Sequence, residues 1–167
     1  MADAHAGSRD SGRDESEEER LDRNLSELVG ELRVALPGVQ VLFAFLLVVP
    51  FNARFAELEP GQERIYLATL LLAGAASAFL IAPTAHHRIT FRLQDKKHLV
   101  VWGNRFAIAG LACLAAAMTC AFLLVTELVF SGATATVSTA FVATMFVVLW
   151  YVLPLVRRRA AEKENAA

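Results

Sequence analysis

The sequence predicts an all-α protein, a four-transmembrane-helix bundle with an N-terminal cytoplasmic amphipathic helix. Three observations carry that expectation. Hydrophobic residues make up 56% of the 167 residues, and the 20% that are charged cluster at the termini and in the connections, leaving four long apolar runs. The run from Val34 to Ala53 holds no charged residue. At 1.5 Å of helix rise per residue it spans roughly 30 Å, the thickness of a bilayer's hydrocarbon core. Ahead of it, leucines recur at spacings of three and four, the mark of a helix with one apolar side. The length fits one domain. The net charge of −1 averages over regions that sit in different places and excludes nothing.

Residues 1–15 are small, polar and charged. They bury too little apolar surface to offset the entropy of ordering, so a disordered tail is expected. The amphipathic helix is expected over residues 16–36, opened by the capping box Ser16-x-x-Glu19. Leu21, Leu25, Leu28, Val29, Leu32 and Leu36 fall within about 100° of helical arc, with Arg23, Glu27 and Arg33 opposite. Pro37-Gly38 predicts a bend after it. Through residue 33 the chain carries five Arg against ten Asp and Glu. Helices that lie on anionic lipid carry a basic polar face. Docking on protein therefore fits this acidic helix better, with Leu21, Leu25, Leu28 and Leu32 meeting its own bundle, a homo-oligomer or another membrane protein.

The membrane domain is expected over residues 34–156, with spans at about 36–55, 65–83, 105–129 and 133–156. The first carries Gln40 early, and Asn52 and Arg54 at its far end. Pro50 removes the bond to the Leu46 carbonyl and predicts a kink. A loop with Glu57, Glu59, Glu63 and Arg64 follows around Pro60-Gly61. The second span contains Gly74-x-x-x-Ala78, a spacing that lets helix backbones approach closely in lipid, and ends at Pro83. His86 to Arg105 reads as a basic, loop-like connection, with five Lys and Arg against Asp95 alone. The third span carries Ala109, Cys113, Ala117 and Ala121 in one row, with Glu127 at its far end. Ser131-Gly132 marks a hairpin. The fourth span brings Trp150 and Tyr151 toward an interface, and residues 157–167 form a basic cytoplasmic tail.

Orientation follows from the basic residues. The N-terminal segment holds five, the central connection five and the tail four, which makes fourteen on one side against two in the first loop and none in the last hairpin. Both termini are expected in the cytoplasm, on the plasma membrane. The first apolar run is too long for a signal h-region and is expected to remain as an anchor.

Little chemistry is legible. Cys113 and Cys120, seven helical residues apart, lie about 10 Å from each other, beyond the reach of a disulfide. No phosphate loop, nucleophile elbow, metalloprotease motif or CxxC pair occurs. No catalytic, cofactor-binding or metal-ligating residue is assigned. His86, His87 and His98 lack carboxylate or thiol partners at ligand spacing and read as interfacial. The basic connection is accounted for by topology and anionic lipid, so nucleic acid is not expected as a partner. The polar residues singled out within the membrane domain are Gln40, Asn52, Arg54 and Glu127. Gln40 is placed to hydrogen-bond across helices, and Arg54 to snorkel or to pair with Glu127 at the same depth. Inward-facing membrane acids often mark ion paths, although Glu127 lies at the edge of its span.

The runs GVQVLFAFLLVVPFNARF, IAPTAHHRITFR and GNRFAIAGLA resemble a family of small bacterial four-span integral membrane proteins of unknown function, across about Leu21 to Pro154. Some members carry a sodium–proton antiporter label. The resemblance implies the fold and a bacterial inner membrane, and it implies no demonstrated activity or site residue. Two functions remain in view. One is a non-enzymatic membrane scaffold or regulatory subunit; the other is a small oligomeric cation or proton transporter.

Overall fold

The first helix begins at its cap. In the computed structural model, which describes residues 16–90, 96–130 and 132–164, α1 runs from Glu17 to Val48. The Ser16 hydroxyl accepts the Glu19 N–H at 3.3 Å, and the Glu19 carboxylate accepts the Ser16 N–H at 3.0 Å. Two of the donors that a helix start leaves unpaired are thereby satisfied. The Ser16 backbone N–H, and after it the hydroxyl, hold the Glu19 carboxyl below its usual range. The tail expected over residues 1–15 lies outside the described residues.

The bend expected at Pro37-Gly38 is absent as a break, because α1 passes through Pro37 as one helix. The reason lies in the packing. Leu28, Leu32, Val39 and Leu46 are all buried, and their spacing keeps one stripe in phase across the proline. Pro37 forfeits a single bond, to the Arg33 carbonyl, on an exposed side of the helix. The first span also ends sooner than residue 55. Val49–Phe51 and Ala53–Glu57 are short 3₁₀ turns, so Pro50 terminates the helix instead of kinking it.

α2 covers Pro60–Thr90 and α3 covers Lys96–Val129. The stretch read as a loop from His86 to Arg105 is thus mostly helix, and α2 continues beyond Pro83. Residues 91–95 lie outside the described residues. α4 covers Ala133–Val147 and continues through a π turn, Val148–Val152, into α5, Leu153–Glu164. The widened turn falls just before Pro154, which has no N–H for a regular helical bond. The tail after residue 156 is accordingly helical as far as Glu164. Among the described residues the chain forms no strand, and it has four helices long and apolar enough to cross a membrane. It is a multi-pass membrane protein.

α2 and α3 form the central pair. A Cβ placed on Gly110 would meet Cγ of Leu80 at 2.7 Å and the Leu80 backbone nitrogen at 3.3 Å. Only glycine allows that approach. Ala73, Ala76 and Ala117 keep the neighbouring layers thin, as lipid-embedded pairs require. α1 lies against both helices, with the Phe43 ring against Gly74 and Leu28 over Gly103. α4 packs on α3 alone among the described residues. Thr126 and Thr139 bring their hydroxyls within 3.4 Å there, and the Tyr151 hydroxyl donates to the Ile108 carbonyl at 3.4 Å. Much of the rest of α4 is exposed, with Val137 and Phe141 outermost as suits a helix facing lipid, and with Thr144 returning its hydroxyl to the Ala140 carbonyl at 2.8 Å.

The helices are longer than a bilayer needs. α1, α2 and α3 hold 32, 31 and 34 residues, or roughly 46–51 Å at 1.5 Å per residue against a core of about 30 Å. Most of the surplus is polar and lies on one side, in Glu17–Arg33 of α1, His86–Thr90 of α2, Lys96–Arg105 of α3 and Arg157–Glu164 of α5, and the far side adds the first turn of α2 with Glu63 and Arg64. On the far side the connections are short.

Candidate functional site

The polar residues of the membrane domain collect at the far end of the bundle, where α1 stops. The stop has an identifiable partner. Pro50 lacks the N–H that would bond the Leu46 carbonyl, and the Tyr66 hydroxyl of α2 donates to that carbonyl at 2.8 Å instead. Tyr66 is buried, and the Phe55 ring meets it edge-on with centroids 5.1 Å apart. Sequence reasoning missed Tyr66, which sits inside an apolar run and reads as packing. The available signal was the proline one span earlier, whose freed carbonyl demands a donor in lipid.

Tyr66→Phe is expected to cost about 1–3 kcal/mol, the penalty of an unsatisfied buried carbonyl. Thermal unfolding in detergent measures it. Pro50→Ala restores a backbone donor, so the tyrosine change should cost much less in that background, and a double-mutant cycle reads the difference.

Asn52 turns the chain. Its side-chain oxygen accepts the Arg54 N–H at 3.1 Å, which opens the second 3₁₀ turn. The Phe55 and Leu58 N–H groups then bond to Asn52 and Phe55 carbonyls at 3.0 and 3.2 Å. Gln62 accepts the Glu59 N–H at 3.1 Å at the start of α2. Arg54 and Glu57 reach the rim of a groove of about 650 Å³ between the end of α1 and the last turns of α3. Its walls are apolar, from Phe45, Val48 and Phe51 on one side to Leu124 and Leu128 on the other.

Glu127 is elsewhere. It is exposed beside a separate recess of about 510 Å³ with Glu59, Gln62 and Thr136. Arg54 lines the groove on the α1 side, and no ion pair joins it to Glu127 among the described residues. The pairing expected from their shared depth fails because they stand in different recesses. Gln40 is exposed on α1 and makes no hydrogen bond to another helix, since the buried stripe passes through its neighbour Val39. Of the four residues singled out, the structure brings together Asn52 and Arg54 only.

No group of three or more His, Cys, Asp or Glu side chains suited to a metal occurs among the described residues. Cys113 and Cys120 are free and half-buried. No charged side chain is buried among the described residues, and the buried polar ones are Thr69, Thr126 and Thr139. Thr69 and Thr126 return their hydroxyls to carbonyls four residues back. The groove therefore offers binding chemistry, a cation and an anion above an apolar floor.

No curated protein and no solved structure matches the chain. A family profile matches residues 14–154, from just ahead of the α1 cap to Pro154. With that span covered, the chain belongs to the DUF6328 family, a family of unknown function.

Proposed function

We propose that this protein is a non-enzymatic membrane scaffold or regulatory subunit of a bacterial plasma membrane, with both termini in the cytoplasm. The observation that carries the reading is the continuity of α1. One helix joins an acid-rich aqueous stretch, Glu17–Arg33, to a membrane-crossing run with no break at Pro37. A contact made on the aqueous part is thereby transmitted rigidly to the bundle. Leu28 and Leu32 are used within the chain, whereas Leu21 and Leu25 are only half-buried and remain for a partner protein or a second copy. The fourteen-to-two distribution of basic residues supports the orientation.

The alternative, an oligomeric cation or proton transporter, rests on Glu127, which lies at a rim. Flux measured in proteoliposomes separates the two. Wild type should carry no sodium or proton flux above protein-free vesicles. Flux that Glu127→Gln removes would replace the scaffold reading with transport. In the same vesicles, thiols introduced at Gly61 and Gly132 should label from the face opposite to that of a thiol at Glu162.

A further inference from the structure

The groove at the far end of the bundle exists because α1 stops at Val48 while α3 runs on to Val129. At about 650 Å³ it is the size of a small-molecule site. It lies where a membrane-crossing helix gives way to polar residues, which is the depth of lipid headgroups. Its rim is unusual for a lipid-facing surface. Arg54 and Glu57 stand three residues apart on one 3₁₀ turn, both exposed and both lining the groove. They form no ion pair with each other or with another described residue. Asn52, which also lines the groove, uses its side-chain oxygen on the Arg54 N–H, and its amide N–H groups make no hydrogen bond among the described residues.

We propose that this groove binds one zwitterionic phospholipid whose headgroup ends in a primary ammonium. An acyl chain lies along Phe45, Val48, Leu124 and Leu128. The phosphate takes the Arg54 guanidinium and the Asn52 amide, in the fork geometry that arginine offers to phosphate. The ammonium takes the Glu57 carboxylate. Charge complementarity selects this occupant over others. A glycerol headgroup would leave Glu57 facing a net negative lipid, and a trimethylammonium has no N–H for the carboxylate. A second copy's apolar helix would cover the walls but use neither rim charge. The site stands whether or not the projecting helices recruit a protein.

The test uses the full chain in nanodiscs of equal parts phosphatidylethanolamine, phosphatidylcholine and phosphatidylglycerol, transferred to mild detergent, with retained lipid counted by native mass spectrometry. Phosphatidylethanolamine should be retained about fivefold over either competitor, the scale of one exposed ion pair. Glu57→Gln should erase its advantage over phosphatidylcholine while leaving the total retained lipid in place. Arg54→Gln should lower retention of all three lipids. Both side chains are exposed, so unchanged melting of the variants is the fold control. Inorganic phosphate should not displace the lipid. Equal retention of the three lipids, a preference that survives Glu57→Gln, displacement by phosphate, or a dimer that carries no lipid would each overturn the proposal.

Discussion

Replacing Leu28 and Leu32 together with alanine should release the projecting half of α1 from the bundle. Both leucines are buried, at 8% and 4% exposure, and both belong to the cluster that includes Val39, Leu80 and Leu114. Leu28 enters the space that Gly103 leaves, with its Cδ2 2.7 Å from where a Cβ there would lie. Each leucine truncation in a packed core costs about 2–5 kcal/mol, and alanine keeps the helix propensity high, so the loss reports docking rather than helicity. Trypsin cleavage at Arg20 and Arg23 in detergent measures it, and the double variant should be cut far faster than wild type. Glu27→Gln and Glu31→Gln should change little. Both carboxylates are exposed, and the Arg23–Glu27 contact is a surface pair of 3.8 Å. Equal protection of the leucine variant and wild type would mean that the helix is held by something other than this contact.

Gly110→Val should separate α2 from α3, the pair on which the other helices rest. The new Cβ would meet Leu80 at 2.7 Å, and the Leu80 backbone nitrogen, 3.3 Å away, has little freedom to retreat. Overpacking of this kind costs about 1–3 kcal/mol, and the branched side chain adds to it. Gly110→Ala should cost less, because alanine recovers about 1 kcal/mol of helix propensity. Gly30→Ala is the control. Nothing lies within 4 Å of its would-be Cβ, so it should stabilise the protein slightly. Melting temperatures in one detergent rank the three, and Gly110→Val at or above wild type would remove the close approach as the basis of the pair.

The end of α3, the start of α4 and the cap at Ser16 were legible because each rests on local chemistry. A charge-free run, an Ser-x-x-Glu box and a Ser-Gly hairpin act within a few residues of themselves. What failed depended on phase and on partners. Pro37 reads as a break when judged alone, yet the stripe from Leu28 to Leu46 keeps its register across it. Gln40 alone reads as a bond across helices, but its direction is set by Val39 beside it, which is buried. Arg54 and Glu127 both lie near the ends of spans, and position along a span does not determine azimuth around a bundle. Tyr66 was invisible because its role is assigned by Pro50, sixteen residues earlier on another helix. The rim of the groove was half legible. Asn52 and Arg54 stand out at the end of a span, while Glu57 reads as one of several loop acids, and the 3₁₀ turn places it on the same groove.

The one-sided surplus of helix length has a consequence for how the chain enters a membrane. α1 with α2, and α3 with α4, are two helical hairpins whose tips are the only parts that must cross the hydrocarbon. A charged side chain at the bilayer centre costs about 2.5–3.5 kcal/mol on insertion scales. The second tip, Phe130 to Gly132, carries no charge at all. The first carries Arg54, Glu57, Glu59, Glu63 and Arg64, of both signs. With both termini in the cytoplasm, as proposed above, every long polar segment would stay on the side where synthesis leaves it, and each hairpin would insert as a unit, the second at the lower barrier. The polar helix ends then act as stops that keep the bundle from sliding through, and they set its depth before any partner arrives.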